Sequence, residues 1–155
     1  MSVHLGSGDV RSVTLTAVPV ITPKTTIATA LRLMREHEIS TLPVSTDAGL
    51  LGLVSEKALL RFTPSEATTL DVYELREVLE RLTVERATVA PRAIVAPDAG
   101  LEEAATLMLR TGAEAIPVMD AGRFTGLVTW CRLLAAAFGV PNLVSSASES
   151  KPSGN

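Results

Sequence analysis

The chain has 155 residues with 14 basic and 17 acidic side chains, so its length suits one compact fold and its net charge of −3 leaves no basic footprint for nucleic acid. Its single cysteine, Cys131, excludes an internal disulfide and a thiolate metal cluster. The longest apolar run, residues 133–138, falls far short of the ~20 residues a membrane helix needs, and residues 1–9 lack the basic and apolar regions of a secretory signal. A soluble cytoplasmic protein without membrane contact is expected.

Residues 1–9, rich in Gly and Ser, are expected to form a flexible tail. Residues 10–15 open the ordered chain, and residues 18–21 suit a short strand in which Pro19 favours an edge. After a Thr-rich connector, Ile27, Ala30, Leu31 and Met34 follow helical spacing, and the helix ends on Glu36-His37-Glu38. Residues 41–55, TLPVSTDAGLLGLVS, alternate as two strands around a turn. A short helix over residues 56–61 is stopped near Thr63-Pro64. Residues 70–82 look helical, with Leu75, Val78, Leu79 and Leu82 on one stripe that either packs on its own module or serves a dimer contact.

The order then repeats. Residues 89–95 supply an opening strand, and Leu101, Ala104, Ala105 and Met108 give a helix with Glu102 and Glu103 in its first turn, where negative charge suits the dipole. Residues 115–129, AIPVMDAGRFTGLVT, are a second hairpin, and residues 130–138 a closing helix ended by Gly139 and Pro141. Residues 144–155 are Ser-rich and expected to be flexible. Pro43 and Pro117, Gly52 and Gly126, Met34 and Met108, and Leu59 and Leu133 all stand 74 positions apart, with no gap between them. Such a register is a tandem duplication. One copy leaves an apolar face bare, so the twin is expected to bury it.

With these elements the chain resembles the CBS domain pair, or Bateman module. The resemblance rests on the β-α-β-β-α order, LPV and IPV opening the hairpins, and GLVS and GLVT closing them. It implies an α+β fold of tandem CBS repeats packed about a pseudo-twofold axis. The boundaries expected are a tail at 1–9, repeat 1 at 10–62, a helical linker at 63–81, repeat 2 at 82–138 and a tail at 139–155. It also implies a regulatory, non-enzymatic module that forms a homodimer and answers to a separate effector protein. Its ligand would be of adenosine type (AMP, ADP, ATP or S-adenosylmethionine) in a cleft between the repeats. The alternative is a ligand-free dimerisation or protein-interaction module.

The family's ligand signature closes each hairpin with an Asp whose carboxylate can accept from both ribose hydroxyls. At that position the chain has Ala58 in the first copy and Arg132 in the second. By resemblance, one pocket combines Thr14, Pro19, Ile39 and Ser40 with Val128, Thr129 and Arg132. A second, weaker pocket combines Thr88, Ala93, Ala113 and Glu114 with Val54, Ser55 and Ala58. The first offers hydroxyl donors (Thr14, Ser40, Thr129) and a guanidinium, suited to phosphate or carboxylate, whereas Glu114 repels an anion from the second. Ser55 and Thr129 are also expected as helix N-caps. Trp130 is expected to be buried against the twin copy or another subunit, or to stack on a purine at the first pocket's mouth, and Cys131 to be packed. His4 and His37 have no neighbouring ligand set, so no metal site is expected.

Overall fold

A computed structural model of the protein describes residues 8–61 and 71–140. The expected tails at 1–7 and 144–155 and the helix stop at Thr63-Pro64 lie outside the described residues. The chain folds as two compact units that do not follow the repeats in order: one is contiguous, Pro19–Ala90, and the other joins Met1–Val18 to Pro91–Asn155.

In the contiguous unit, strands β1 (Thr41–Thr46) and β2 (Gly49–Ser55) form an antiparallel hairpin, with Leu42 opposite Val54 and Val44 opposite Gly52. The register shifts between Val44 and Ser45, where the returning strand carries an extra residue. Helix α1 (Ile27–Glu36) starts at Thr26, whose hydroxyl accepts from the Thr29 amide, and buries Ile27, Ala30 and Met34. Helix α2 (Glu56–Arg61) follows the hairpin directly and buries Leu59 completely. Burying a Leu or Ile side chain contributes about 1.5–3 kcal/mol, so these few positions outweigh the weak intrinsic preference of so short a helix.

Helix α3 (Val72–Arg81) is held mainly by its own sequence: Asp71 and Glu74 form a reciprocal capping box, and Arg76–Glu80 pairs one turn apart. It buries no residue fully and packs against α1. The strand expected over residues 18–21 shrinks to one parallel bridge between Ile21 and Val44. Pro19 has no amide to extend that ladder. A 3₁₀ turn, Val84–Ala87, then brings Val89 antiparallel to Leu53.

The split unit repeats this plan. Helix α4 (Leu101–Thr111) leads into strands β3 (Ala115–Asp120) and β4 (Arg123–Thr129), paired in the register of the first hairpin and shifted at the equivalent place, between Val118 and Met119. Helix α5 (Trp130–Ala137) closes it. A 3₁₀ turn, Val10–Val13, docks here through the Val10 amide on the Ala99 carbonyl (2.8 Å), and Leu15 pairs with Leu127. Val10, Leu101, Met108, Ile116, Val128 and Leu133 belong to its core. The strand expected over residues 89–95 is thus divided: Val89 pairs antiparallel in one unit, and Val95 pairs parallel with Val118 in the other. Because its two ends pair with different hairpins, they do not form one continuous ladder.

The two copies differ at the end of their first helix. Gly112 closes α4 in the left-handed region, and the equivalent Glu38 also has φ 51°. A side chain there meets a steric penalty that glycine avoids. Glu38→Gly is therefore expected to raise the unfolding free energy by about 0.5–1 kcal/mol. Urea denaturation checks this, and an unchanged or lower midpoint would contradict it.

Candidate ligand site

Both hairpins end where a short helix begins, and each junction is built the same way. The Glu56 amide donates to the Ser40 carbonyl (2.9 Å) and the Trp130 amide to the Glu114 carbonyl (3.3 Å). Ser55 Oγ accepts from the Ala58 amide (3.1 Å) and Thr129 Oγ1 from the Arg132 amide (3.4 Å), so both hydroxyls cap their helices as expected. Neither hydroxyl donates a hydrogen bond among the described residues, so each keeps a proton for another acceptor.

Thr14 and Thr88 behave differently. Each hydroxyl donates back to a carbonyl four residues earlier, Thr14 to Val10 (2.7 Å) and Thr88 to Val84 (2.8 Å). Their protons are committed to closing the 3₁₀ turns, so Thr14 is not the free donor expected from the sequence. Val54 and Val128 are fully buried; the Val128 side chain belongs to the core of the split unit.

Arg132 stands apart. Its Nε donates to the Val13 carbonyl at 2.6 Å, linking residues 119 positions apart within the split unit. Partial burial strips water from the guanidinium and pulls its pKa below the ordinary value. Arginine starts so high that the group stays charged at neutral pH. No carboxylate lies within ion-pair distance of it among the described residues. At the equivalent place in the other copy, Ala58 offers no side-chain polar group.

Of the first predicted set, the split unit holds Thr14, Val128, Thr129 and Arg132; Pro19, Ile39 and Ser40 belong to the contiguous unit. Of the second, the contiguous unit holds Val54, Ser55, Ala58 and Thr88; Ala93, Ala113 and the exposed Glu114 belong to the split unit. Trp130 is half-buried and packs on the core of its own unit, and Cys131 is exposed rather than packed. The fully buried side chain in this first turn of α5 is instead Leu133, three residues after Trp130. Among the described residues no group of three or more His, Cys, Asp or Glu is arranged to hold a metal.

A feature not read from the sequence is a groove of about 720 Å³ in the contiguous unit. Leu31, Met34, Leu60 and Leu79 give it apolar walls, and Ile39 and Ser40 lie along it. It needed the placement of α3 against α1, which helical periodicity alone does not supply.

The chain matches the CBS domain family twice, over residues 10–65 and 84–139, and belongs to that family. Among solved structures it is similar to the CBS domain of a CBS-domain-containing membrane protein from Sphaerobacter thermophilus. That pair is 26% identical with TM-score 0.70, covering 83% of this chain and 86% of that one. CBSX2 in complex with AMP is 27% identical with TM-score 0.67, covering 86% of this chain and 98% of that one. The CBS domain of a bacterial CNNM/CorC-family Mg²⁺ transporter, in complex with ATP, shares the fold at 24% identity and TM-score 0.68, covering 87% and 90% of the two chains.

The pairing of Leu15 with Leu127 holds Val13 beside Arg132, and it depends on Gly126. A Cβ at Gly126 would run into the Leu15 carbonyl oxygen and the Thr14 methyl. Gly126→Ala is expected to cost about 1–3 kcal/mol through overpacking against backbone. It should also speed hydrogen exchange at the Leu15 and Leu127 amides. Unchanged stability and exchange would show that this approach is not needed.

Proposed function

We propose that the protein is a regulatory CBS-pair module that senses an adenosine-type nucleotide or a related phosphate-bearing ligand. The observation that carries this is Thr129. Its oxygen is fixed by the Arg132 amide, its proton is uncommitted, and it stands on the same turn as an unneutralised guanidinium. That combination donates to an anionic oxygen and positions no nucleophile beside a base, so binding rather than catalysis is proposed. The AMP held by CBSX2, which this chain resembles over most of its length, supports the nucleotide class. Arg132 favours the first of the two residue sets; Pro19, Ile39 and Ser40 join it by sequence resemblance alone. A cytoplasmic location accords with the absence, among the described residues, of any helix long and apolar enough to cross a membrane.

A second reading is favoured by exposed apolar side chains on the closing helices. Leu60, Leu134 and Phe138 are 58%, 52% and 65% exposed, whereas their neighbours Leu59 and Leu133 are buried. These suit a homodimer, and a chain that only dimerises or docks an effector would use them without a ligand.

Thermal unfolding with AMP, ADP, ATP and S-adenosylmethionine separates the two. A ligand at a hundred times its Kd stabilises the native state by about 2.7 kcal/mol, so at least one of the four is expected to raise Tm by several degrees. No shift with any of them, together with sedimentation as a dimer, would favour the interaction module.

A further inference from the structure

We propose that Arg132 is the seat for a terminal anionic group of the ligand, a phosphate or carboxylate, engaged end-on through Nη1 and Nη2 while Nε stays on the Val13 carbonyl. This names the chemical class recognised at the site above and rests on that ligand reading.

The guanidinium is a planar, rigid fork, so fixing Nε–H on one carbonyl fixes the direction of the rest. The edge formed by Nη1 and Nη2 then points away from Val13. Neither Nη has a hydrogen-bond partner among the described residues. Neither is a buried atom without a partner, so solvent reaches both. A pre-aimed, partly desolvated bidentate donor loses less freedom on taking an oxyanion than a free surface arginine does.

Lack of an ion pair is not peculiar to Arg132, since none is seen for Arg35, Arg86, Arg110 or Arg123 among the described residues. What sets Arg132 apart is that its Nε is tied to a carbonyl, whereas Arg92 reaches the Thr111 carbonyl through Nη1. Arg32, Arg76 and Arg81 each pair with a glutamate one turn away, Glu36, Glu80 and Glu77. Along α5 the position one turn after Arg132 is Ala136, and the turn before it begins at the cap Thr129; neither can neutralise it. A polar companion on the same turn is the Thr129 hydroxyl, which has a proton to give.

The class of ligand follows from the donors. A guanidinium cannot accept, so it cannot take the hydrogens of a ribose diol as a carboxylate at this position would. What it holds must be an acceptor, and an anionic one gains most. The equivalent Ala58 provides no counterpart, so one Arg-dependent anion per chain is expected.

Calorimetry with pyrophosphate, ATP and adenosine tests this on the full chain and its variants. Glutamine carries Nε2 the same number of bonds from Cα as arginine's Nε. Arg132→Gln therefore keeps a donor for Val13 while removing the charge and the Nη pair. Wild type is expected to bind pyrophosphate and ATP at one site per chain. Arg132→Gln should melt as wild type does yet bind both at least tenfold more weakly, with any response to adenosine unchanged. Arg132→Lys, which keeps a charge but not the fork, should fall between them and supplies the comparison if the glutamine variant melts early. Both variants binding as wild type does, or wild type giving no heat with pyrophosphate and ATP, would overturn the proposal. Arg132-dependent binding in which ATP is no tighter than pyrophosphate would support the anion seat while removing the nucleotide.

Discussion

The backbone pairing of Leu15 with Leu127 is the constraint on which the split unit depends. Both amides are used, Leu15 to the Leu127 carbonyl at 2.8 Å and Leu127 to the Leu15 carbonyl at 3.1 Å. It gives the second hairpin a third pairing partner from far away in sequence. It also seats Val10 and Val13 in the core and carries the Val13 carbonyl to Arg132. The approach is close enough that only glycine fits at position 126. Val89 with Leu53, over Gly52, does the same for the contiguous unit. Backbone hydrogen bonds of this kind contribute about 1 kcal/mol each, but the apolar side chains they position contribute more.

Duplication kept these constraints in both copies and let the site diverge. The hairpin registers, their shifts and the burial pattern along each strand match position for position. The capping hydroxyls are retained as Ser55 and Thr129. What differs lies beyond the cap: Ala58 ends in a methyl, and Arg132 spans to the lead segment of its unit. The shared junction accepts either alanine or arginine at this position, so the two copies are free to differ there. The charge asymmetry between copies accordingly supports one anion seat per chain.

The hairpins and helices α1 and α4 were legible in the sequence because their information is local. Alternating apolar residues, turn residues and helical spacing all lie within a dozen positions. The α3 helix was equally plain, since its capping box and its Arg76–Glu80 pair are internal. Arg132 was visible as a departure from the family signature, and its charge class followed from arginine chemistry. Its Val13 partner was not, because nothing local marks a contact 119 positions distant. The crossing of segments between units was hidden for the same reason. Residues 89–95 look like one strand, and only long-range pairing shows that Val89 and Val95 serve different hairpins. Thr14 looked like a free donor until the turn that consumes its proton was in place. The exposure of Cys131 is not legible because one helical turn sets which side chain faces inward, and that phase is fixed by Leu133 at the core.

The most direct measurement is a side-chain ¹⁵N–¹H spectrum of arginine-labelled protein, following the Arg132 Nε–H. If Nε is held on the Val13 carbonyl, this proton should exchange with water far more slowly than those of the exposed Arg32 and Arg76. On adding ATP, the Arg132 Nη signals should sharpen and shift while the Nε–H remains protected. An Arg132 Nε–H that exchanges as fast as those of Arg32 and Arg76, with or without ATP, would contradict both the tie and the seat built on it.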